Sequence, residues 1–177
     1  MMQHCAPMRR RTFFGFGLGI GGAILLGLGG VSIATWRPGV VGGRLSPSGR
    51  SVFESVGRAV LDGSLPAESS SRDAAVRALL TRLDVTISAF PWPVQEEISQ
   101  LLALLSATAG RLGLARLRHD WPEAKIGEVQ AALQDMRTSA LSLRQQAYHA
   151  LRDLTNAAFY ADPTTWAQIG YPGPNPI

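Results

Sequence analysis

Ser69-Ser70-Ser71-Arg72-Asp73-Ala74-Ala75-Val76-Arg77-Ala78-Leu79-Leu80-Thr81-Arg82-Leu83-Asp84-Val85-Thr86-Ile87-Ser88-Ala89-Phe90 is the stretch that decides the fold. Val76, Leu79, Leu80, Leu83, Ile87 and Phe90 fall at i, i+3, i+4, i+7, i+11 and i+14, which is one face of an amphipathic helix. Arg72, Asp73, Arg77, Arg82 and Asp84 mark the opposite, wet face. Ser70 or Ser71 can accept a hydrogen bond from the free N–H groups of the first turn. Phe90-Pro91-Trp92-Pro93 stops the helix, because proline lacks the donor a helix interior needs and restricts the residue before it.

The same period runs outward in both directions. Pro93 suits the start of a next helix, with Val94, Ile98, Leu101, Leu102 and Leu105 on one face and Leu104 widening it. After Gly110 and Gly113 comes a short basic stretch, Arg111, Arg116 and Arg118, and then Asp120-Trp121-Pro122, with Asp120 as the expected cap of a fresh helix. Ile126, Val129, Leu133 and Met136 continue at helical spacing, followed by Ala140, Leu143, Ala147, Leu151, Leu154 and Ala158, as one long helix or two meeting near Thr138-Ser139. Toward the N-terminus, Phe53, Val56 and Val60 place a helix over 50–62 that Gly63 ends. No stretch alternates with a period of two between hairpin turns, so the expected fold is all-α, a small helical bundle over 50–161. Asp162 and Pro163 begin a short helix, and Gly170-Tyr171-Pro172-Gly173-Pro174-Asn175-Pro176 cannot continue it, so 162–177 is read as that helix and an extended Pro/Gly-rich arm.

The first 34 residues have the order of an export signal. Arg10, Arg11, Thr12, Phe13 and Phe14 match the twin-arginine pattern, a consecutive arginine pair, one variable residue and two large apolar residues. From Thr12 to Trp36 no residue is charged, and frequent glycines moderate the hydrophobicity. Ser32-Ile33-Ala34 offers small residues where a signal peptidase reads them, which places cleavage after Ala34. Because about 20 apolar residues span a bilayer, an uncleaved signal helix would hold the protein at the membrane. The Pro-, Gly- and Ser-rich residues 35–49 are then expected to form a mobile linker. Gly17-Leu18-Gly19-Ile20-Gly21-Gly22 satisfies a dinucleotide-binding pattern, but without the strand and helix that give the pattern meaning.

Composition excludes some chemistry. Of 17 Lys and Arg against 13 Asp and Glu, Arg9, Arg10 and Arg11 precede the apolar run, which leaves 14 against 13 in a nearly neutral remainder. No cluster of Lys and Arg marks a nucleic-acid surface. Cys5 is the only cysteine and precedes the apolar run, so the mature part has no disulfide, thiolate metal site or attached c-type haem. His149 and Asp153 are four apart, a spacing that could orient an imidazole for general-base work and that a solvated surface pair explains equally. Glu96 and Glu97 project about 100° apart on a helix and favour its first turn rather than a shared metal. The expected count is no catalytic residue, no metal ligand and no cofactor-binding residue.

Several separated pieces together resemble one family: the twin-arginine leader, Leu61-Asp62-Gly63-Ser64-Leu65-Pro66, Met136-Arg137-Thr138-Ser139, Tyr148 to Leu154, Phe159-Tyr160, Trp166 and Gly170 to Pro174. The chain resembles the small subunits of periplasmic flavin-dependent sugar and alcohol dehydrogenases, the gluconate 2-dehydrogenase subunit 3 type. That resemblance implies a non-catalytic accessory subunit of an oxidoreductase complex. It would bind a large flavoprotein of the glucose-methanol-choline type, whose FAD belongs to the partner, with a c-type cytochrome subunit taking the electrons. The twin-arginine translocase would then carry the large subunit into the periplasm as a folded passenger. Trp166, Gly170, Tyr171, Pro172, Gly173 and Pro174 are the expected partner-binding residues, since a Pro-rich tail has little freedom to lose on docking. A lid folded back over the bundle is the other use of the same tail. The rival classes are an independent membrane-anchored binding or structural module and a small enzyme using His149 and Asp153.

Overall fold

The computed structural model describes residues 37–173, and these are mostly helical. A two-stranded antiparallel hairpin, β1 (Val40–Val41) and β2 (Arg44–Leu45), leads into α1 (Pro47–Val60), α2 (Ser69–Ala89) and α3 (Trp92–Ser106). A single turn, α4 (Thr108–Gly110), passes into a π-helical turn over Arg111–Ala115. Then come α5 (Ile126–Arg137), α6 (Ser142–Tyr160) and a 3-10 helix over Pro163–Ile169.

Helix α1 is the hub, in contact with α2, α3, α5 and α6. Val52, Phe53 and Val56 are at most 1 % exposed, and they meet Leu79, Leu83 and Ile87 of α2, Leu102 and Leu105 of α3, Met136 of α5 and Leu151 of α6 in one core. Every residue of the apolar face read in α2 is buried apart from Phe90, which packs against the core as a partly buried side chain. No single described helix is long and apolar enough to cross a membrane; α3 and the turns after it pass that test only together, with an 83° bend between them.

Residues 35–49 do not all form a linker. Gly42 and Gly43, with φ of 57° and 75°, make the tight turn of the hairpin, whose register pairs Val40 with Leu45. Gly39 donates to Ser99 O at 3.2 Å, and its own carbonyl accepts from Ser46 N at 2.9 Å. A Cβ there would lie 2.3 Å from Leu102 Cβ, so glycine is what lets this backbone press onto α3. Ser46 caps α1 by accepting from Gly49 N at 3.2 Å, and the helix therefore starts at Pro47 rather than Arg50. Residues 35 and 36 of that segment lie outside the described residues.

Other boundaries moved for equally local reasons. Glu68, not Ser70 or Ser71, caps α2: its carboxylate accepts from Ser70 N at 2.9 Å and Ser71 N at 2.6 Å. The Ser71 and Ser70 hydroxyl and N–H donors hold its pKa down at about 2, against 4.5 ordinarily. A pKa lowered by folding adds stability that is present above the ordinary value and lost as pH falls through the folded one. The N-terminus of α2 should therefore fray between pH 4.5 and about 2, seen as faster amide exchange at Ser70 and Ser71, and Glu68→Gln should remove that pH dependence. Asp120 does not cap a helix. It pairs with Arg111 at 2.8 Å, while α5 starts at Ile126 with Glu128 accepting from Lys125 N at 2.9 Å.

Arg111, read as part of a short basic stretch, and Arg144 are both buried. Arg111 is 7 % exposed and donates to the carbonyls of Leu117 and Arg118; Arg144 is 2 % exposed and donates to Leu114 O at 2.8 Å and to Asp135 at 2.7 Å. Together they hold the π-helical turn, which ends at Arg116 with φ of 55°, against α5 and α6. Arg144 hydrogen-bonds Asp135 and, with Arg116, keeps that carboxyl below its ordinary pKa. The chain between α5 and α6 breaks at Thr138–Leu141, so two helices meet there. Ser139 marks the corner: its N–H donates to Met136 O of α5 at 3.4 Å, and its hydroxyl accepts from Leu141 N and Arg144.

Candidate partner-binding surface

The C-terminal segment is built onto the end of α6. Asp162 accepts from Thr164 N at 3.0 Å and from Thr164 Oγ1 at 2.7 Å, capping the 3-10 helix in which Pro163 takes the first turn, as its fixed φ favours. The Thr164 hydroxyl, then its N–H, keeps the Asp162 carboxyl below its ordinary pKa, with the charge of Arg82 adding to the effect. Arg82 of α2 bridges the two elements: Nε donates to Ala158 O at 2.7 Å and NH1 to Asp162 at 3.1 Å. Thr165, 7 % exposed, donates back to Asp162 O at 2.7 Å.

Trp166 is half-buried, and its Nε1 donates to Tyr160 O at 2.8 Å, where the last turn of α6 leaves a carbonyl free. Gly170, with φ of 67°, ends the 3-10 helix and turns the chain so that Tyr171 N donates to Trp166 O at 3.1 Å. The Trp166 and Tyr171 rings then meet edge to face, 5.2 Å between centroids. Gly173, with φ of 97°, passes over the indole, where a Cβ would come within 3.3 Å of the ring. Trp166 is thus held from behind by the end of α6, while Ile169 at 55 % and Tyr171 at 46 % face water with Pro172 beside them.

The structure brings Trp166, Gly170, Tyr171, Pro172 and Gly173 together in one turn. Pro174 lies outside the described residues, as do Arg10, Arg11, Phe13, Phe14 and Ala34 of the leader and the glycine pattern of 17–22. Arg82 and Thr165, which fix the turn to the body, were not singled out in the sequence. Arg82 gave no signal beyond its place on the polar face of α2; Thr165 sits at the third position after the Asp162 cap, where a hydroxyl commonly bonds back.

The other sequence candidates are surface groups. His149 and Asp153 are both exposed; the His149 ring meets Tyr148 edge to face at 5.2 Å, Asp153 pairs with Arg152 at 3.1 Å, and no hydrogen bond joins the two. Glu96 accepts from Gln100 at 3.1 Å, and burial raises the pKa of Glu97. Among the described residues no three His, Cys, Asp or Glu side chains come together as a metal group. Two clefts among the described residues are small and mixed in lining: one of ≈ 110 Å³ between α1 and the Trp121–Ala124 loop, and an open one of ≈ 310 Å³ between the π-helical turn and α5, edged by Arg116, Arg118, Glu128 and Asp135. Compared with protein-family models, curated proteins and solved structures, the chain matches none.

Proposed function

We propose that this chain is the small, non-catalytic subunit that binds, stabilises and co-exports a flavin-dependent dehydrogenase of the glucose-methanol-choline type through the twin-arginine route. The observation that carries the reading is the C-terminal turn. An aromatic pair braced by α6 and by Arg82 presents Ile169, Tyr171 and Pro172 to solvent at the point where the chain runs on to Pro174. Rigid, half-exposed aromatic groups are what interfaces use as anchors, because little side-chain freedom is lost on docking. The leader supports the same reading: a partner loaded with flavin has to cross the membrane folded, and Arg10-Arg11-Thr12-Phe13-Phe14 addresses the route that carries folded proteins. FAD then belongs to the large subunit, and a c-type cytochrome subunit is the electron acceptor of the assembled complex.

The test is co-expression with a flavin-dependent dehydrogenase of the glucose-methanol-choline type, followed by purification through the small subunit. Deleting 170–177, or replacing Ile169 and Tyr171 by serine, should remove flavin absorbance from the purified material while the helical circular dichroism of the body is unchanged. Each anchor is expected to contribute about 1–2 kcal/mol, so the pair weakens binding by roughly one to three powers of ten. Flavoprotein retained at full yield by both variants would refute the assignment of this surface.

A further inference from the structure

At one corner of the bundle three elements leave apolar side chains in water: Trp92 in the first turn of α3 is 73 % exposed, Val85 of α2 65 % and Val41 of β1 60 %. Contacts around the hairpin turn bring them to one place. A Cβ on Gly43 would lie 3.3 Å from Ser88 Cα and 3.4 Å from Gln95 Oε1. Ser88 is the next residue along the face of α2 that carries Val85, and Gln95 stands in the same relation to Trp92 on α3. Gln95 Nε2 also donates to Phe90 O at 2.8 Å, closing the corner, and Pro91 and Pro93 stiffen the backbone on both sides of Trp92.

No residue in 85–95 or 38–43 is charged, and Ser88, Ala89, Pro91 and Pro93 are exposed as well. Charge stands only at the rim. Arg37 and Arg44 are exposed on the hairpin side; Asp84 is engaged by Arg50 and by Leu45 N; Glu96, held by Gln100, lies further along α3. The chain supplies the remaining argument through its own continuation. Thr12 to Trp36 is an uncharged run long enough for a bilayer, and the five residues from Trp36 to Val41 reach at most about 18 Å even fully extended.

We propose that, with the leader uncleaved and its apolar run in the bilayer, this corner rests on the lipid surface. Trp92, Val85 and Val41 sit in the interfacial layer, and Arg37 and Arg44 meet lipid phosphates. Tryptophan is favoured at that depth because its ring is apolar and its N–H still finds a partner, and arginines beside an apolar run add attraction to anionic headgroups. The inference does not depend on the escort role, since it needs no flavoprotein.

Glu123 provides the control site. Trp121 of the same loop donates to Leu105 O at 2.8 Å, and Leu105 stands thirteen residues along α3 from Trp92, about 20 Å away. Full-length protein carrying Cys5→Ser and either Val85→Cys or Glu123→Cys would be labelled with an environment-sensitive fluorophore. It would then be reconstituted into vesicles of phosphatidylcholine and phosphatidylglycerol with brominated acyl chains. The probe at 85 should shift to the blue and be quenched by bromine, the probe at 123 should do neither, and adding Trp92→Ser should reduce the quenching at 85 without altering circular dichroism. An unquenched probe at 85, equal quenching at both positions, or a probe at 85 that becomes dry only on adding a flavoprotein would overturn the proposal, the last in favour of a protein interface.

Discussion

Under the proposed escort role, replacing Arg10 and Arg11 together with lysine is expected to leave the dehydrogenase activity of the proposed partner in the cytoplasm, with periplasmic activity falling to background. The substitution keeps both positive charges and changes only their shape. Arginine offers a planar fork of donors that lysine's single ammonium cannot reproduce, so recognition by geometry is lost while general electrostatics is kept. The first described helix starts at Pro47, far along the chain from the substituted pair, so the fold of the body and its affinity for the proposed partner should be unaffected in extracts. Fractionating cells and assaying both compartments reads the result directly. Periplasmic activity at the level of the unaltered chain would sink the escort reading while leaving the C-terminal surface as a separate question.

The second large effect is structural. Gly110 sits where α4 passes into the π-helical turn, and a Cβ built there would lie 1.9 Å from Leu104 O and 2.7 Å from Leu104 C. Both are backbone atoms of the preceding helix, so no side chain can swing aside to make room. Gly110→Ala must open the bend between α3 and α4 or move the turn held by Arg111 and Arg144. A cost of about 3 kcal/mol or more follows, with Tm lowered by roughly 10 °C. Three residues on, Gly113 has nothing within 4 Å of the same imagined atom. Gly113→Ala should therefore be neutral, or stabilising by up to about 1 kcal/mol, because alanine restricts the unfolded chain more than glycine does. Thermal unfolding of the two variants side by side separates the steric cost at 110 from any general preference for glycine in this region; equal Tm values would refute the close approach.

The long helices were legible because their signal is spread over many residues. The apolar stripe that α2 carries repeats across about four turns, and the stripes of α3, α5 and α6 repeat over several turns each, so single exceptions do not blur the period. The hairpin was hidden for the opposite reason. Its strands are two residues each, too short for any alternation to register, and the glycines that make its turn read as those of a linker. Only the burial of Gly39 against Leu102, a contact 63 positions away in the chain, distinguishes the two cases. The buried arginines were hidden because much of what holds them is main chain: Leu114 O, Leu117 O and Arg118 O leave no mark in a side-chain pattern, and their carboxylate partners, Asp120 for Arg111 and Asp135 for Arg144, stand nine positions away, off any helical spacing. Asp162 and Pro163 did announce the C-terminal 3-10 helix, since capping chemistry is local and needs only neighbouring residues. How Trp166 would lie was open between two uses because the Tyr160 carbonyl that fixes it is a property of the helix end and of no particular side chain.

The packing of Gly39 also fixes an order in time. Its N–H and Cα need Ser99 and Leu102, so the hairpin that a ribosome makes first has no seat until α3 has been made and coiled about 60 residues later. At synthesis rates of about 5–20 residues per second that is a wait of roughly 3–12 s. The N-terminal edge is therefore the earliest part of the described body to be synthesised yet cannot close before α3 exists, and its closure reports that α3 is in place.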